Sequence, residues 1–298
     1  MLDLLALKEL LASHGQDASA TVPGFDIGGR PFDFARRRAL VGVINLSPES
    51  WYRESICTTP AQAIARGRLL AAQGADIVDI GAESTLPEAP RVSPAEQLAR
   101  LRPVVKALSA EGILVSVESY YPEVLEGAAR AGAAVFNLTG AQAQEDVLAL
   151  AARFNVAVIL CYVQGETVRE VSDFSFYDDM QGEMEAHFRE RTAQAAAAGV
   201  RRCIIDPGLG FYYANLQDGA LRVNHQLHTF LHTFRLRRLG FPTMNILPHA
   251  QDFFGDEHRR AAEPFFAVLA MLGGTDFIRT HEVDQVARIR AVMEAYRR

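Results

Sequence analysis

The residues with the clearest chemical potential stand at the ends of short apolar runs, where a buried segment gives way to a loop. They are Asn45, Asp79, Glu83, Glu118, Asn137, Asp206, His249, Arg279 and His281. Carboxylates and carboxamides bind ligand N–H groups, whereas arginine and histidine bind anions. Arg279 and His281 alternate with Thr280 and so project to one side of a strand, where an anion is the simplest partner for two buried cationic groups. The pattern predicts a polar ligand site.

The elements that must position these side chains follow from the apolar pattern, because strands buried on both faces form continuous hydrophobic runs. The predicted strands are Ala39–Asn45, Ile77–Ile80, Leu114–Glu118, Val135–Leu138, Val156–Cys161, Arg202–Asp206, Thr243–Leu247 and Phe277–Arg279. Between and after them lie helical patterns. They cover Pro60–Gln73, the segment that begins after Ser93, Pro122–Ala131, Asp146–Phe154, Met180–Ala198, Asn224–Leu239, Arg260–Leu272 and Val283–Tyr296.

The alternation of strands and helices predicts the α/β class. Eight strand–helix units in about 250 residues are what a closed (β/α)8 TIM barrel requires. A doubly wound open sheet is the alternative, but it usually carries a glycine-rich phosphate turn after its first strand. That strand instead ends in N-L-S-P at 45–48. We expect a single barrel over residues 39–298, with residues 1–38 forming an N-terminal helix and a cap segment.

Six short motifs lie at the strand ends in a recognisable order. They are G-V-I-N-L-S-P-E-S at 42–50, D-I-G-A-E-S-T at 79–85, S-V-E-S at 116–119, F-N-L-T at 136–139, D-P-G-L-G-F at 206–211 and R-T-H-E-V at 279–283. Each motif alone is a weak signal. Together they resemble the dihydropteroate synthase (pterin-binding enzyme) family, and the chain is identified as a divergent member of it.

The resemblance implies a diphosphate subsite. In the family the first-loop asparagine, here Asn45, helps to hold Mg²⁺ and the diphosphate of the pterin substrate. The arginine and histidine of the last strand, here Arg279 and His281, bind phosphate oxygens. The chemistry agrees, because the planar fork of arginine suits phosphate and an amide oxygen is a hard ligand for Mg²⁺.

The resemblance also implies a subsite for the pterin ring. The family positions that recognise the ring correspond to Glu118, Asn137 and Asp206. A pterin presents an aminopyrimidinone edge with adjacent N–H donors, and a carboxylate accepts two of them side by side. Glu118 departs from the family, which has the shorter aspartate at this position.

The acceptor side departs furthest from the family pattern. We assign the acceptor region to Ser84, Thr85, Tyr212, Tyr213 and His249. Basic family residues are replaced there: an arginine by Leu86, Gly-Lys by Tyr212-Tyr213, and Ser-Arg-Lys by the run P-H-A at 248–250. Since only two of the 30 basic residues are lysines, no obvious substitute for the family lysines exists. We expect 4-aminobenzoate to be a poor acceptor.

The function implied is Mg²⁺-assisted transfer of a pterin-methyl group from its diphosphate to an arylamine, either 4-aminobenzoate or a different amine, in folate or pterin metabolism. Two alternatives stay open at this point. One is a pterin-dependent methyltransferase, which needs no diphosphate site, so that Arg279 and His281 speak against it. The other is a pterin-binding homologue without catalysis.

Composition and net charge limit the possible partners and the cellular location. The net charge of −6 argues against nucleic acid as a partner, and no apolar stretch is long enough to predict a membrane span. Three scattered cysteines fit neither a disulfide framework nor a zinc ribbon, so we expect reduced thiols and a cytoplasmic protein.

Two late helical segments raise further possibilities. His225, His228 and His232 share one face, a spacing that we interpret as a solvated or interface face rather than a metal site. The segment P-F-F-A-V-L-A-M at 264–271 is apolar nearly all round, which predicts a homodimer through this helix.

Overall fold

The computed structural model describes residues 2–49, 52–86, 88–141, 144–165, 167–169, 173–211, 213–216 and 218–296. Within these ranges a two-stranded hairpin precedes a barrel of eight parallel strands. The strands are β1 (Phe25–Ile27), β2 (Arg30–Phe32), β3 (Ala39–Asn45), β4 (Ile77–Gly81), β5 (Leu114–Glu118), β6 (Val135–Leu138), β7 (Ala157–Cys161), β8 (Cys203–Asp206), β9 (Met244–Ile246) and β10 (Phe277–Thr280). The predicted α/β TIM barrel is confirmed.

The barrel closes through backbone pairing between the two ends of the sheet, at β8 and just before β9. The strand order is β8-β7-β6-β5-β4-β3-β10-β9, and a parallel bridge between Ile205 and Thr243 joins the two ends. At the opposite side of the sheet, Asn45 pairs with Gly81 and Gly81 with Glu118. This register brings the carboxyl ends of successive strands to one rim, which is where barrels of this class carry their ligand sites.

Helices surround the barrel. They are α1 (Leu4–Ala18), α2 (Pro60–Ala72), α3 (Pro94–Ala110), α4 (Pro122–Ala131), α5 (Gln144–Phe154), α6 (Met180–Ala197), α7 (Gly219–His232), α8 (Gln251–Leu272) and α9 (Val283–Ala295). Reciprocal capping boxes begin α2 at Thr59 and Gln62 and α3 at Ser93 and Glu96. None of the helices in the described ranges is long and apolar enough to cross a membrane.

One predicted helix, Asn224–Leu239, is wrong at both ends. α7 begins at Gly219 because the Asp218 carboxylate accepts hydrogen bonds from the first backbone amides. It ends at His232, after which Thr233–Leu239 form a 3₁₀ helix. The Thr233 hydroxyl donates to the Thr229 carbonyl at 2.7 Å and so competes with the α-helical bond at that carbonyl.

The hairpin of β1 and β2 covers the amino-terminal end of the barrel. Its turn contains Gly28, whose φ of 56° lies in the left-handed region. The rings of Phe32 and Phe34 lie 5.4 and 5.2 Å from that of Phe277, at the start of β10. These contacts seal the end of the barrel opposite the predicted site. The division of the chain into a segment 1–38 and a barrel domain 39–298 stays a prediction.

The turn between α8 and β10 depends on a close approach of two backbones. A Cβ atom at Gly273 would overlap the carbonyl oxygen of Phe230 on α7. We therefore expect Gly273→Ala to lower the free energy of unfolding by about 2–3 kcal/mol, the cost of an overpacked contact against rigid backbone. Urea denaturation measures this change.

The matched control is Gly15→Ala in α1, where a Cβ atom meets nothing within 4 Å. That change should leave stability unaltered or raise it by up to about 1 kcal/mol, because alanine favours helix over glycine. If the two variants are equally stable, the Phe230 carbonyl does not lie as close to Gly273 as the structure shows.

Candidate active site

A cavity of about 260 Å³ lies at the carboxyl end of the barrel. It brings together all of the site residues predicted from the sequence that the structure describes. Those residues are Asn45, Ser84, Thr85, Glu118, Asn137, Asp206, Tyr213, His249, Arg279 and His281. Tyr212 lies outside the described residues. What each side chain binds stays a prediction at this point.

A buried ion pair lies at the centre of the site. Arg279 donates through Nε and Nη2 to Oδ2 of Asp79 at 2.9 and 2.8 Å. Asn137 donates to the same oxygen at 3.1 Å, and the Glu118 carboxylate lies 3.6 Å from the guanidinium. The Asp79 side chain is fully buried, and that of Arg279 is 14% exposed. The pair therefore fixes the positions of two predicted ring-binding residues.

Asp79 acts as the hub of this network, a role that the sequence analysis did not assign. The carboxylate was visible in D-I-G-A-E-S-T as one of two acids. The register of β4 decides between them, because it turns Asp79 toward Asn137 and Arg279. The spacing of an isolated strand does not reveal which residues meet across a closed barrel.

Two acids in the cavity hold their protons unusually tightly. Burial raises the pKa of Glu118 to about 7, although the charge of Arg279 opposes the shift. Burial likewise raises the pKa of Asp206 to about 6, against the hydrogen bond that its Oδ1 accepts from the Gly208 amide at 2.7 Å. Near neutral pH these groups can therefore act as carboxylates that accept or as acids that donate.

The Asn45 amide has a defined orientation at the end of β3. Its nitrogen donates to the Ser55 hydroxyl at 2.7 Å, and that hydroxyl donates to the Tyr52 carbonyl at 2.6 Å. Because Ser55 donates its hydroxyl proton to Tyr52, it can only accept from Asn45, so the amide group turned toward it must be the nitrogen, which donates. The amide oxygen is then the ligand atom that Asn45 offers. One such hard oxygen fits Mg²⁺, which commonly takes few protein ligands and completes its shell with water and phosphate.

A second polar cluster joins β10 to α8. Oε1 of Glu263 lies 2.7 Å from Nδ1 of His281 and 3.2 Å from Nε2 of His249. Its other oxygen accepts from the His281 backbone amide at 2.9 Å. Burial opposes ionisation of Glu263, but the two neighbouring imidazoles outweigh it and hold the pKa well below its ordinary value. The cluster places an ionised, fully buried carboxylate behind two cavity-lining histidines.

Tyr52 covers this cluster from the loop after β3. Its ring stacks on those of His249 and His281, with centroids 4.8 and 4.5 Å apart. Its hydroxyl donates to Glu282, which is also bound by Arg260 at 2.6 Å. Tyr52 thus contributes an aromatic ring from this loop to the cavity, which Ser47 of the same loop also lines. Arg53, beside it, is exposed and does not line the cavity.

The loop after β4 is fastened by Glu83 and by an arginine that the sequence did not single out. Glu83 accepts from Gln97 at 2.9 Å, and Arg169 lies 3.5 Å from its carboxylate. Arg169 also donates to the Ser84 carbonyl at 2.6 Å. Ser84 and Thr85 are therefore held at the cavity wall by ion pairing behind them.

The opposite wall of the cavity is aromatic. Tyr213 is buried, and its ring lies 5.0 Å from that of Phe174. His225 packs on the same phenylalanine at 4.9 Å, and burial lowers its pKa to about 4. Arg222 lines this side as well, although its charge is paired with Asp252. The wall therefore offers flat apolar surface and an arginine whose charge is already paired with an aspartate.

Comparison with known proteins identifies the family. The family described as pterin binding enzyme matches residues 41–281. The chain is 31% identical over 286 residues to a dihydropteroate synthase of Synechocystis, with 92% of this chain and 95% of that protein covered. The chain belongs to the dihydropteroate synthase (pterin binding enzyme) family. A Bacillus subtilis dihydropteroate synthase is 29% identical, with 88% of this chain and 90% of that protein covered.

Solved structures of family members share the fold. A Xanthomonas albilineans dihydropteroate synthase with 4-aminobenzoic acid superimposes with a TM-score of 0.76 at 32% identity, covering 92% of this chain and 98% of that one. The same enzyme in complex with 7,8-dihydropteroate gives 0.73 at 30% identity, with the same coverage. A Thermus thermophilus dihydropteroate synthase with 4-aminobenzoate gives 0.76 at 28% identity, covering 92% of this chain and all of that one.

The raised pKa of Glu118 has a consequence for stability. The folded state keeps this proton up to about pH 7, whereas the unfolded chain releases it near 4.5. Folding therefore binds protons in this window, and stability falls as pH rises through it. Glu118→Gln should flatten the fall by at most about 1.4 kcal/mol per pH unit. Because the side chain is 13% exposed, we expect somewhat less.

The measurement is the free energy of unfolding in urea at pH 5, 6 and 7 for the wild-type chain and the variant. Glu9→Gln, an exposed acid on α1, is the matched control and should leave the slope unchanged. Parallel curves for the wild type and Glu118→Gln would show that Glu118 does not titrate in this range.

Proposed function

We propose that the chain is a transferase of the dihydropteroate synthase type, which transfers a pterin-methyl group from its diphosphate to an amine. The observation that carries the proposal is that one cavity holds two complementary sets of side chains. Acids and a carboxamide suit the N–H edge of a pterin, whereas basic side chains suit the diphosphate. The relatives, named dihydropteroate synthases, support the same activity.

The ring end of the cavity rests on Asp206, Asn137 and Glu118. A hydrogen bond from the Gly208 amide holds Asp206, and the Asp79 carboxylate orients Asn137. Side chains that are oriented before the ligand arrives lose little entropy on binding, which favours affinity. Glu118 is one methylene longer than the family aspartate, so we expect it to meet the ring from a different angle or at a second ring atom.

The phosphate end rests on Arg279, His281 and Asn45. Arg279 is held by Asp79, so its guanidinium is positioned but part of its charge is already balanced. Mg²⁺, held through the Asn45 oxygen together with substrate oxygens and water, would neutralise charge on the departing diphosphate. His281 adds a donor that Glu263 keeps in place.

The reaction needs positioning more than covalent help from the protein. The bond between the pterin methylene carbon and the diphosphate oxygen breaks, and the electron pair leaves with the diphosphate. The amine nitrogen donates a pair to that carbon and then loses a proton. No residue is assigned as general acid or base. The cavity contributes by aligning the two substrates and by excluding water from the cation-like carbon.

We propose that the chain acts as a homodimer formed through α8. The helix carries large apolar side chains on its outer surface: Phe265 is 48% exposed and Leu272 56%. Exposed apolar residues clustered on one helix are typical of an interface.

Sedimentation velocity at micromolar concentration should give twice the 32.7 kDa chain mass, and Phe265→Glu should shift the mass toward that of the single chain. A monomer mass for the wild type would contradict the proposal.

We also propose a cytoplasmic location. Cys57, Cys161 and Cys203 are free and buried in the structure. Unpaired thiols are usual in the reducing cytoplasm and unusual in oxidising compartments. The observation that supports this location is therefore the reduced state of the three thiols.

The test of the function is turnover with a pterin diphosphate, Mg²⁺ and a series of arylamines, followed by diphosphate release and by detection of the pterin conjugate. Asp206→Asn should lower kcat/KM by about 10–100-fold, because an amide presents an N–H where the ring needs an acceptor. Glu9→Gln on α1 is the control and should match the wild type. Pterin diphosphate binding without turnover on any amine would favour a non-catalytic homologue instead.

Within that series, 4-aminobenzoate should be used poorly. Each charged hydrogen bond that the acceptor carboxylate does not make costs about 1.5–3 kcal/mol, and two such losses lower the specificity constant on the order of a hundredfold or more. A neutral arylamine should do better against the face of Tyr213. Turnover of 4-aminobenzoate within tenfold of an ordinary family member would contradict this expectation.

A further inference from the structure

We propose that His249, Glu263 and His281 form a binding site for a divalent transition-metal ion of the Zn²⁺ type, distinct from the Mg²⁺ expected at Asn45. The three side chains each offer one ligand atom, and these atoms lie within 4.8 Å of one another. Imidazole nitrogens together with a carboxylate oxygen suit Zn²⁺ and related ions, whereas Mg²⁺ prefers oxygen ligands alone. The site stands whether or not the cavity takes a pterin.

The distances between the ligand atoms match a coordination shell. Oε1 of Glu263 is 2.7 Å from His281 Nδ1 and 3.2 Å from His249 Nε2, and the two nitrogens are 3.4 Å apart. The circle through three points at these separations has a radius of about 1.8 Å, so an ion roughly 1 Å out of their plane would reach all three at the 2.0–2.2 Å usual for zinc. Only the shortest separation, 2.7 Å between Glu263 Oε1 and His281 Nδ1, would have to lengthen to open that ligand angle toward the tetrahedral value.

The surroundings of the three residues keep the ligand atoms turned toward one another. Oε2 of Glu263 accepts from the backbone amides of His281 at 2.9 Å and Glu282 at 3.3 Å, and also from the Thr280 hydroxyl. Oε1 is thereby left facing the two rings. Supporting hydrogen bonds of this kind are a regular feature of metal sites, where they set the direction of the ligands.

The aromatic cover fixes the rings themselves. Tyr52 stacks on both imidazoles at interplanar angles of 29° and 25°. Its hydroxyl is held by Glu282, and the salt bridge from Arg260 to Glu282 anchors that carboxylate in turn. Two rings held by one tyrosine lose little freedom when they bind an ion.

The ion would face the substrate cavity. His249 and His281 line the cavity, whereas Glu263 lies behind them on α8. Three protein ligands leave at least one coordination position open in a zinc-type site. The ligand class that fits this position is water or an anionic oxygen such as that of a phosphate. The bound ion would add positive charge at the cavity wall where the sequence departs from the basic family pattern.

A hydrogen-bonded cluster without metal is the competing explanation, with both rings donating a proton to Glu263. Chain stripped of metal with a chelator and then titrated with Zn²⁺ in a calorimeter distinguishes the two. We expect one equivalent to bind with a Kd of micromolar or lower. Co²⁺ in place of Zn²⁺ should give the visible absorption bands of a four- or five-coordinate ion.

Two variants and a control make the test specific. Glu263→Gln and His249→Ala should each weaken Zn²⁺ binding at least 100-fold and abolish the Co²⁺ bands. His249 is partly exposed, so its variant keeps the test valid if the buried Glu263→Gln fails to fold, which a thermal melt reports. His228→Ala, at an exposed histidine of α7, should change neither measurement. The absence of stoichiometric binding, or binding that survives His249→Ala, would overturn the proposal.

Discussion

The ion pair between Arg279 and Asp79 is the interaction on which the rest of the site depends. Removing two opposite charges from water costs several kcal/mol for each, and only close geometry with further hydrogen bonds offsets that cost. The barrel supplies both, because β10 and β4 point the two side chains at each other and Asn137 adds a donor. Removal of either partner would leave a buried charge unbalanced. The pair therefore keeps its geometry, and two of the residues that we assign to the pterin ring, Asn137 and Glu118, take their positions from it.

The charge balance of the cavity explains why cations from outside matter to the proposed function. Asp206, Glu118 and Asp79 lie close to Arg279, whose charge Asp79 partly balances, and the lysines of the family pattern are absent. Arg222 also lines the cavity, but it is paired with Asp252. A diphosphate entering such a site meets repulsion unless protons or metal ions offset the negative charge. Protons on Glu118 and Asp206, whose pKa values are raised chiefly by burial, are one source of that offset. Mg²⁺ at Asn45 and a zinc-type ion at His249, Glu263 and His281 would be the other.

The sequence predicted the barrel and most of the cavity lining because both follow from local order. Strand ends of a parallel barrel share one rim, so polar residues after apolar runs must meet there. Glu263 was missed because it lies within a helix, where its isolated acid in the apolar stretch A-A-E-P-F-F-A gave no sign of its partners. Its contacts to His249 and His281 depend on how α8 is rotated against β10, which periodicity does not specify. The end of α7 was also misjudged, since the apolar pattern continues into residues that form a 3₁₀ helix, Thr233–Leu239.

The most direct test of the account is a crystal structure of the chain with a pterin diphosphate and Mg²⁺. We expect the ring to lie in the cavity with its N–H edge on Asp206 and Asn137, and the phosphates to lie beside Arg279, Asn45 and His281. The Arg279–Asp79 pair should be unchanged by the ligand, since it is formed in advance. A ring bound away from Asp206, or an Arg279 that leaves Asp79 to reach the phosphates, would contradict the account.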